Sequence, residues 1–152
     1  MTENDNPSYR YGQMQLDFSY FAGLFDGEGS ISFAHRKTRR FLEPKISITN
    51  TDKAIMEEVH LNFGGHLYSY PDKRNPNWKQ RYEWYVHNMD DIEMFLSKIL
   101  PYLRIKRKQA ELMIEFITIR KGLKGQKRFS RKHASREFKI KGEMLNENRK
   151  RK

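Results

Sequence analysis

Twice within its first hundred residues the chain repeats one pattern: apolar residues at helical spacing, a pair of glycines, then two short alternating segments. In the first copy Phe18, Phe21, Ala22 and Phe25 share one helical face, Asp17 is a good N-cap, and Gly27 and Gly29 close the run, which predicts a helix over 17–25. Ser30–Arg36 and Lys45–Asn50 then alternate polar and apolar residues, as strands with one buried face do, with a basic loop between them. In the second copy Thr51 or Asp52 can cap a helix carrying Ile55, Met56, Val59 and Leu61–Phe63 up to Gly64-Gly65. His66–Tyr70 and Arg81–His87 follow, rich in aromatic and β-branched residues and joined by the Pro/Asn loop Pro71–Asn77. A third helix is expected from Asp90 through Leu100, where Pro101 stops it, and a fourth over Ile105–Ile119. The order αββαββα implies an α+β fold, a four-stranded antiparallel sheet carrying helices on one face, followed by a basic C-terminal extension.

The 152 residues suffice for one domain, and the absence of cysteine excludes a disulfide scaffold, a Cys-ligated zinc site and a thiol nucleophile. No apolar run approaches the roughly 20 residues of a membrane span, and the polar start MTENDNPS lacks a signal-like core, so an intracellular protein that is not secreted and has no membrane partner is expected. The net charge of +11 is unevenly placed. Residues 121–152 hold 13 basic and 3 acidic side chains, leaving the rest nearly neutral. The chain divides accordingly into an N-terminal arm (1–16), a core (17–121) and a basic extension (122–152). Leu123, Phe129, Phe138, Ile140, Met144 and Leu145 give that extension one or two short helices packing on the core, with Asn148–Lys152 a mobile tail.

Within the core, bases gather at Arg36, Lys37, Arg39, Arg40 and Lys45 and again at Lys73, Arg74, Lys79 and Arg81, while acids gather at Asp52, Glu57 and Glu58 and at Asp90, Asp91 and Glu93. Such sidedness suits a polyanion on the basic face, although solvated loops would look the same. If Ile31, Phe33, Ile46, Ile48, Leu67, Trp84 and Val86 face the helices, then Ser32, Arg36, Lys45, Ser47, Thr49, Tyr68, Tyr70, Arg81, Glu83 and Tyr85 face outward. With Lys37, Arg39 and Arg40 of the loop, these are the candidate DNA-binding residues. Two-stranded ribbons fit the major groove, where Arg or Lys can bond guanine, Glu can accept from cytosine and apolar groups touch thymine. The solvated face of an antiparallel sheet is also polar without any partner.

The segment Phe21-Ala-Gly-Leu-Phe-Asp-Gly-Glu-Gly29 carries the chemistry. Asp26 and Glu28 lie at a helix C-terminus, where backbone carbonyls already present negative charge. A divalent cation bound by hard oxygens would compensate, and Gly27 and Gly29 would let the backbone approach it. A glycine-ended helix with two incidental acids is the alternative. Ser19, Gly23 and Gly27 recur at i, i+4 and i+8, a stripe along which two helix backbones can meet, and the only such helix is this one, so its natural partner is a second copy. With Ala22 and Asp26 they form the candidate dimer interface. A twofold axis there would bring two Glu28 carboxylates together, an arrangement suited to two-metal phosphodiester cleavage. The five histidines are scattered, none at zinc-ligand spacing.

These nine residues closely resemble the signature of the LAGLIDADG homing endonucleases, matching its Ala, Gly, Leu, Asp and Gly and carrying Glu for the second Asp. Pro101-Tyr-Leu-Arg-Ile-Lys-Arg-Lys-Gln-Ala110 looks like the family's lead into its later helix, so the resemblance spans Asp17 to Arg120. It implies a saddle-like sheet, Glu28 as the metal-binding catalytic carboxylate with the Gly27 carbonyl as a further ligand, and Mg2+ as cofactor, with Mn2+ or Ca2+ able to substitute in binding. Asp26 would then support the helix end. Lys106 matches the basic residue near the scissile phosphate, with Arg104, Arg107 and Lys108 as competing neighbours. Asn50 falls where a polar residue orients solvent, or equally caps the strand. A single motif implies a homodimer on a long, nearly palindromic double-stranded DNA site, cutting both strands to leave 3′ overhangs. The same family includes RNA maturases, and a non-catalytic nucleic-acid-binding protein is a further alternative.

Overall fold

The computed structural model describes residues 17–34, 42–71, 73–75, 77–123 and 131–150. The N-terminal arm and the candidate residues Arg36, Lys37, Arg39 and Arg40 lie outside them. Helix α1 (Phe18–Glu28) starts where Asp17 Oδ1 accepts from the Ser19 hydroxyl at 2.5 Å and from the Tyr20 and Ser19 N–H groups at 3.2 and 3.1 Å, hydrogen bonds, the hydroxyl's first, that hold the Asp17 carboxyl below its usual 3.8. It runs three residues beyond the expected end at Phe25, because Gly27 continues the helix and the turn out comes at Gly29. A Cβ on Gly29 would lie 2.4 Å from the Phe25 ring, so glycine is what lets the chain pass directly into a strand there.

Strands β1 (Gly29–Ala34) and β2 (Glu43–Asn50) form the first hairpin. Helix α2 (Lys53–Phe63), capped by Asp52, ends at Gly64, and strands β3 (His66–Tyr70) and β4 (Arg81–Val86) follow. Gly64 and Gly65 have φ of 67° and 75°, which favours glycine, and Gly65 also lies close enough to β4 that a Cβ would sit 2.8 Å from the Tyr85 carbonyl. Trp84 ties the same corner down, its indole N–H donating to the Gly64 carbonyl at 2.7 Å. The antiparallel sheet has the order β1-β2-β4-β3, the α+β architecture that the alternation predicts.

Helix α3 (Met89–Ile99) is capped by Asn88 rather than opened by Asp90, and Pro101 sits in a 3-10 turn, Leu100–Tyr102. Helix α4 (Arg107–Gly122) begins two residues later than expected and extends three further. Ile46, Ile48, Trp84 and Val86 turn inward from the sheet, where they meet Phe21 and Phe25 of α1 and Phe95 of α3 in one apolar core. Lys121 clasps α4 to α3 through Asp90 (2.6 Å) and Glu93, and these partners hold its ammonium pKa above the usual 10.5.

The C-terminal extension differs from the one or two short helices expected of it. Arg131–Arg149 is a single helix, α5, of 19 residues packed along α4. Ile140 and Met144 enter the core, whereas Phe138 and Leu145 remain 65% and 47% exposed. Glu137, only 3% exposed, pairs with Arg120, and Arg136 pairs with Glu115 at 2.6 Å. Asn148 and Arg149 belong to the helix rather than to a tail, with Asn148 accepting from Gln109 Nε2 at 3.4 Å. No helix among the described residues is long and apolar enough to cross a membrane.

Candidate active site and nucleic-acid interface

The two acids at the end of α1 have separate environments. Asp26 turns toward the start of α4, where its carboxylate accepts from three successive backbone N–H groups: Arg104 (2.8 Å), Ile105 (3.1 Å) and Lys106 (2.8 Å). These donors lie in the turn that leads into α4, whose own first-turn N–H groups receive no side-chain cap, so Asp26 pins that turn to the end of α1 from 80 residues away in sequence. Lys106 reciprocates, its ammonium donating to the Asp26 backbone carbonyl at the negative end of α1. Charge at this helix end is therefore largely offset by the protein itself.

Glu28 is the exception. It is exposed and makes no hydrogen bond or ion pair among the described residues. An unpartnered carboxylate in the last turn of a helix is a hard-oxygen donor in a field that favours a cation. Among the described residues no group of three His, Asp or Glu side chains clusters, so Glu28 has no closed set of side-chain ligands about it there. The Glu28 carboxylate and the neighbouring Gly27 carbonyl are hard oxygens of the kind a divalent cation takes.

Ser19, Gly23 and Gly27 are exposed along α1, whereas Ala22, grouped with them as a dimer residue, is fully buried. Its methyl faces the core, one helical position away from the stripe, and it cannot meet a second copy. Among the described residues nothing lies within 4 Å of where a Cβ would stand on Gly23 or Gly27, so their packing does not require glycine at either place. Ser19, Gly23 and Asp26 form one wall of an open groove of about 500 Å³, with Tyr102, Arg104 and Arg107 on the other. Exposed Tyr20 adjoins the stripe and is a surface residue that sequence reasoning passes over, because an aromatic in a helix reads as core. Asn50 accepts from the Asp52 N–H at 2.9 Å, which uses its side-chain oxygen in the turn into α2.

On the sheet, register puts Ser32 beside Lys45, Ser47 beside Tyr85, Thr49 and Tyr68 beside Glu83, and Tyr70 beside Arg81, all on the face away from the helices. Ser30 and His66 share that face. Their place is implied by the same alternation, Ser30 two residues before Ser32 and His66 two before Tyr68. Lys45 and Glu83 are not independent groups but an ion pair at 3.1 Å, and the lysine reaches its partner by crossing the Tyr85 ring, 4.9 Å from the centroid. Tyr85 is further linked to Tyr68, whose hydrogen bond raises the Tyr85 phenol above its usual 10. Beyond the sheet, in the β3–β4 connection, Arg74 lies over Trp78.

The sequence profile of the LAGLIDADG-like domain matches residues 15–100. Among solved structures the chain is similar to an archaeal intron-encoded homing endonuclease, I-Vdi141I, complexed with DNA: 23% identity over 86% of this chain and 82% of that one, with a TM-score of 0.67. It is also similar to the homing endonuclease I-CvuI, solved with a DNA target in 2 mM Mg, at 24% identity, 73% and 71% coverage and a TM-score of 0.59. The meganuclease I-SmaMI bound to DNA gives 19% identity and a TM-score of 0.65, with 85% of this chain spanning 45% of that one. At these identities the likeness is one of fold. No curated protein matches the chain.

Proposed function

Because this chain belongs to the LAGLIDADG-like domain family, we propose that it is a site-specific homing endonuclease, a metal-dependent enzyme that hydrolyses both strands of a long, nearly palindromic DNA duplex as a homodimer and leaves 3′ overhangs. The observation that carries this reading is the division of labour at the end of α1. Asp26 and Lys106 satisfy one another across the α1–α4 junction, while Glu28 stands exposed without a partner among the described residues, beside a stripe of glycines with open space above it. Each glycine costs a helix about 1 kcal/mol relative to alanine. A second α1 packed backbone to backbone on Ser19, Gly23 and Gly27 gives that cost a use, and it brings the two Glu28 carboxylates to one axis.

Glu28 and the Gly27 carbonyl would hold Mg2+, which when bound supplies activation of water and stabilisation of the leaving oxygen. Lys106, anchored on the Asp26 carbonyl, keeps a positive charge beside the reacting phosphate and stabilises charge as it develops there. The open sheet face would lie in the major groove of one half-site, with Arg81 and the tyrosines toward the bases. The intact acidic motif and the unpartnered Glu28 favour cleavage over a purely structural or RNA-only role.

The test uses duplex DNA carrying the uninterrupted host locus, with Mg2+ or with EDTA. Wild-type protein is expected to linearise it only with Mg2+. Glu28→Gln is expected to abolish cutting, by at least about 100-fold, while leaving duplex affinity in Ca2+ within a factor of about three. Cutting by Glu28→Gln, cutting in EDTA, or a protein that stays monomeric on DNA would overturn the reading.

A further inference from the structure

The open face of the sheet is chemically divided. Its β1–β2 half presents small hydroxyls, Ser30, Ser32, Ser47 and Thr49, together with Lys45, whereas its β3–β4 half presents the rings of His66, Tyr68, Tyr70 and Tyr85 together with Arg81 and Glu83. These rings form a ladder. Tyr68 and Tyr85, diagonal neighbours across β3 and β4, lie stacked with planes 5° apart and centroids 5.6 Å apart. Tyr70 extends the ladder at one end, 6.4 Å from Tyr68, and His66 at the other, 5.2 Å from Tyr85. Lys45 covers the Tyr85 ring on its way to Glu83.

Stacked rings direct their faces at one another, and what they offer outward is a ridge of ring edges and phenolic oxygens. Unstacked bases, as in single-stranded RNA, need free ring faces to stack on, and this ridge has few to give. A duplex groove is different, because contact there is edge-on. The apolar group that base pairs present in the major groove is the C5-methyl of thymine. Between the rings, Glu83 of β4 is already bonded to Lys45 of β2, so neither is offered to cytosine or guanine there, and the remaining cation of this half, Arg81, stands at the far end of β4 beside Tyr70. Resting on the duplex-cleaving function above, we propose that the Tyr68/Tyr70/Tyr85 ridge is a specificity-determining element that reads thymine methyl groups, so that each half-site carries thymines beneath β3 and β4.

Full-length protein in Ca2+ is used to select duplexes from a randomised library, and the thymines of the recovered half-site are then replaced by deoxyuridine, which keeps the base pair and deletes the methyl. Each replacement beneath the ridge is expected to weaken binding about fourfold, the worth of one buried methyl-sized group. Tyr85→Phe, which retains the ring, should keep that penalty. Tyr68→Ser, at a half-exposed position, should erase it for the thymine beneath that ring while lowering the melting temperature by no more than about 4 °C. The proposal is overturned by selected half-sites without thymine under β3–β4, by deoxyuridine that binds as well as thymine, or by a penalty beneath that ring that survives Tyr68→Ser. Failure to enrich any duplex, or equal binding to a single-stranded RNA pool, would instead reject duplex cleavage itself.

Discussion

Removing the Asp26 carboxylate should loosen the junction between α1 and α4, and its cost can be worked from the three bonds it makes. Bonds of a charged acceptor are worth about 1.5–3 kcal/mol each when fully buried, but here the donors of Arg104 and Ile105 are exposed and recover water when the acceptor is lost. The appropriate scale is therefore that of one well-formed charged hydrogen bond, the part-buried one from Lys106, so Asp26→Ala should cost about 2 kcal/mol. For a chain of this size that is a fall of about 4–8 °C in melting temperature, read by differential scanning calorimetry at pH 7. Asp26→Asn keeps one acceptor oxygen and loses the charge, so about half the loss is expected. Both variants free the backbone that aims Lys106, so the rate of cleavage at saturating DNA should fall more than duplex affinity does. If Asp26→Ala melts within 1 °C of the parent, roughly 0.3 kcal/mol, the carboxylate is not holding the helix start and the argument fails.

Three further outcomes follow from other parts of the fold. Glu137→Ala strips the Arg120 guanidinium of its carboxylate in a nearly buried position and should destabilise by about 3 kcal/mol in urea titration, whereas Lys150→Ala, at an exposed pair with Glu147, should change little. Gly65→Ala forces a left-handed φ on a Cβ that also meets Val86 and the Tyr85 carbonyl, and should cost at least about 2 kcal/mol, with loss of soluble expression as a cruder sign. The Asp17 carboxyl is held below its usual 3.8 by the helix start, so its contribution is present above that pH and lost as pH falls through the lower folded value. Asp17→Ala should therefore lower the melting temperature at pH 7, and the gap from the parent should narrow as pH falls below 3.8, which parallel pH-dependent melts would check.

The strands were legible because their period of two survives burial on a single face: Ile46, Ile48, Trp84 and Val86 turn inward, Lys45, Ser47, Glu83 and Tyr85 outward. Helix ends were less legible. Gly27 reads as a terminator from propensity alone, yet α1 runs on to Glu28 and closes at Gly29, whose N–H donates to the Phe25 carbonyl. The extension reads as short helices because its apolar residues are sparse, but Arg120, Glu115 and their partners on α5 stabilise a long helix by ion pairs that hydropathy does not register. What no local pattern could reveal is the relation between distant positions. Local pattern does not separate Asp26 from Glu28; the family resemblance implies that Asp26 supports the helix end, and the arrival of residues 104–106 shows which bonds satisfy its carboxylate. Likewise Lys45 and Glu83 look like two separate readers of bases, and folding joins them.

That last pair bears on any attempt to retarget the protein. Lys45, Tyr85 and Glu83 form an interlocked trio spanning two adjacent strands, so replacing one alters the rotamer and the free valences of the other two. Substitutions at these positions should combine non-additively. A library that randomises the three together will reach preferences that stepwise changes, each judged alone, would discard.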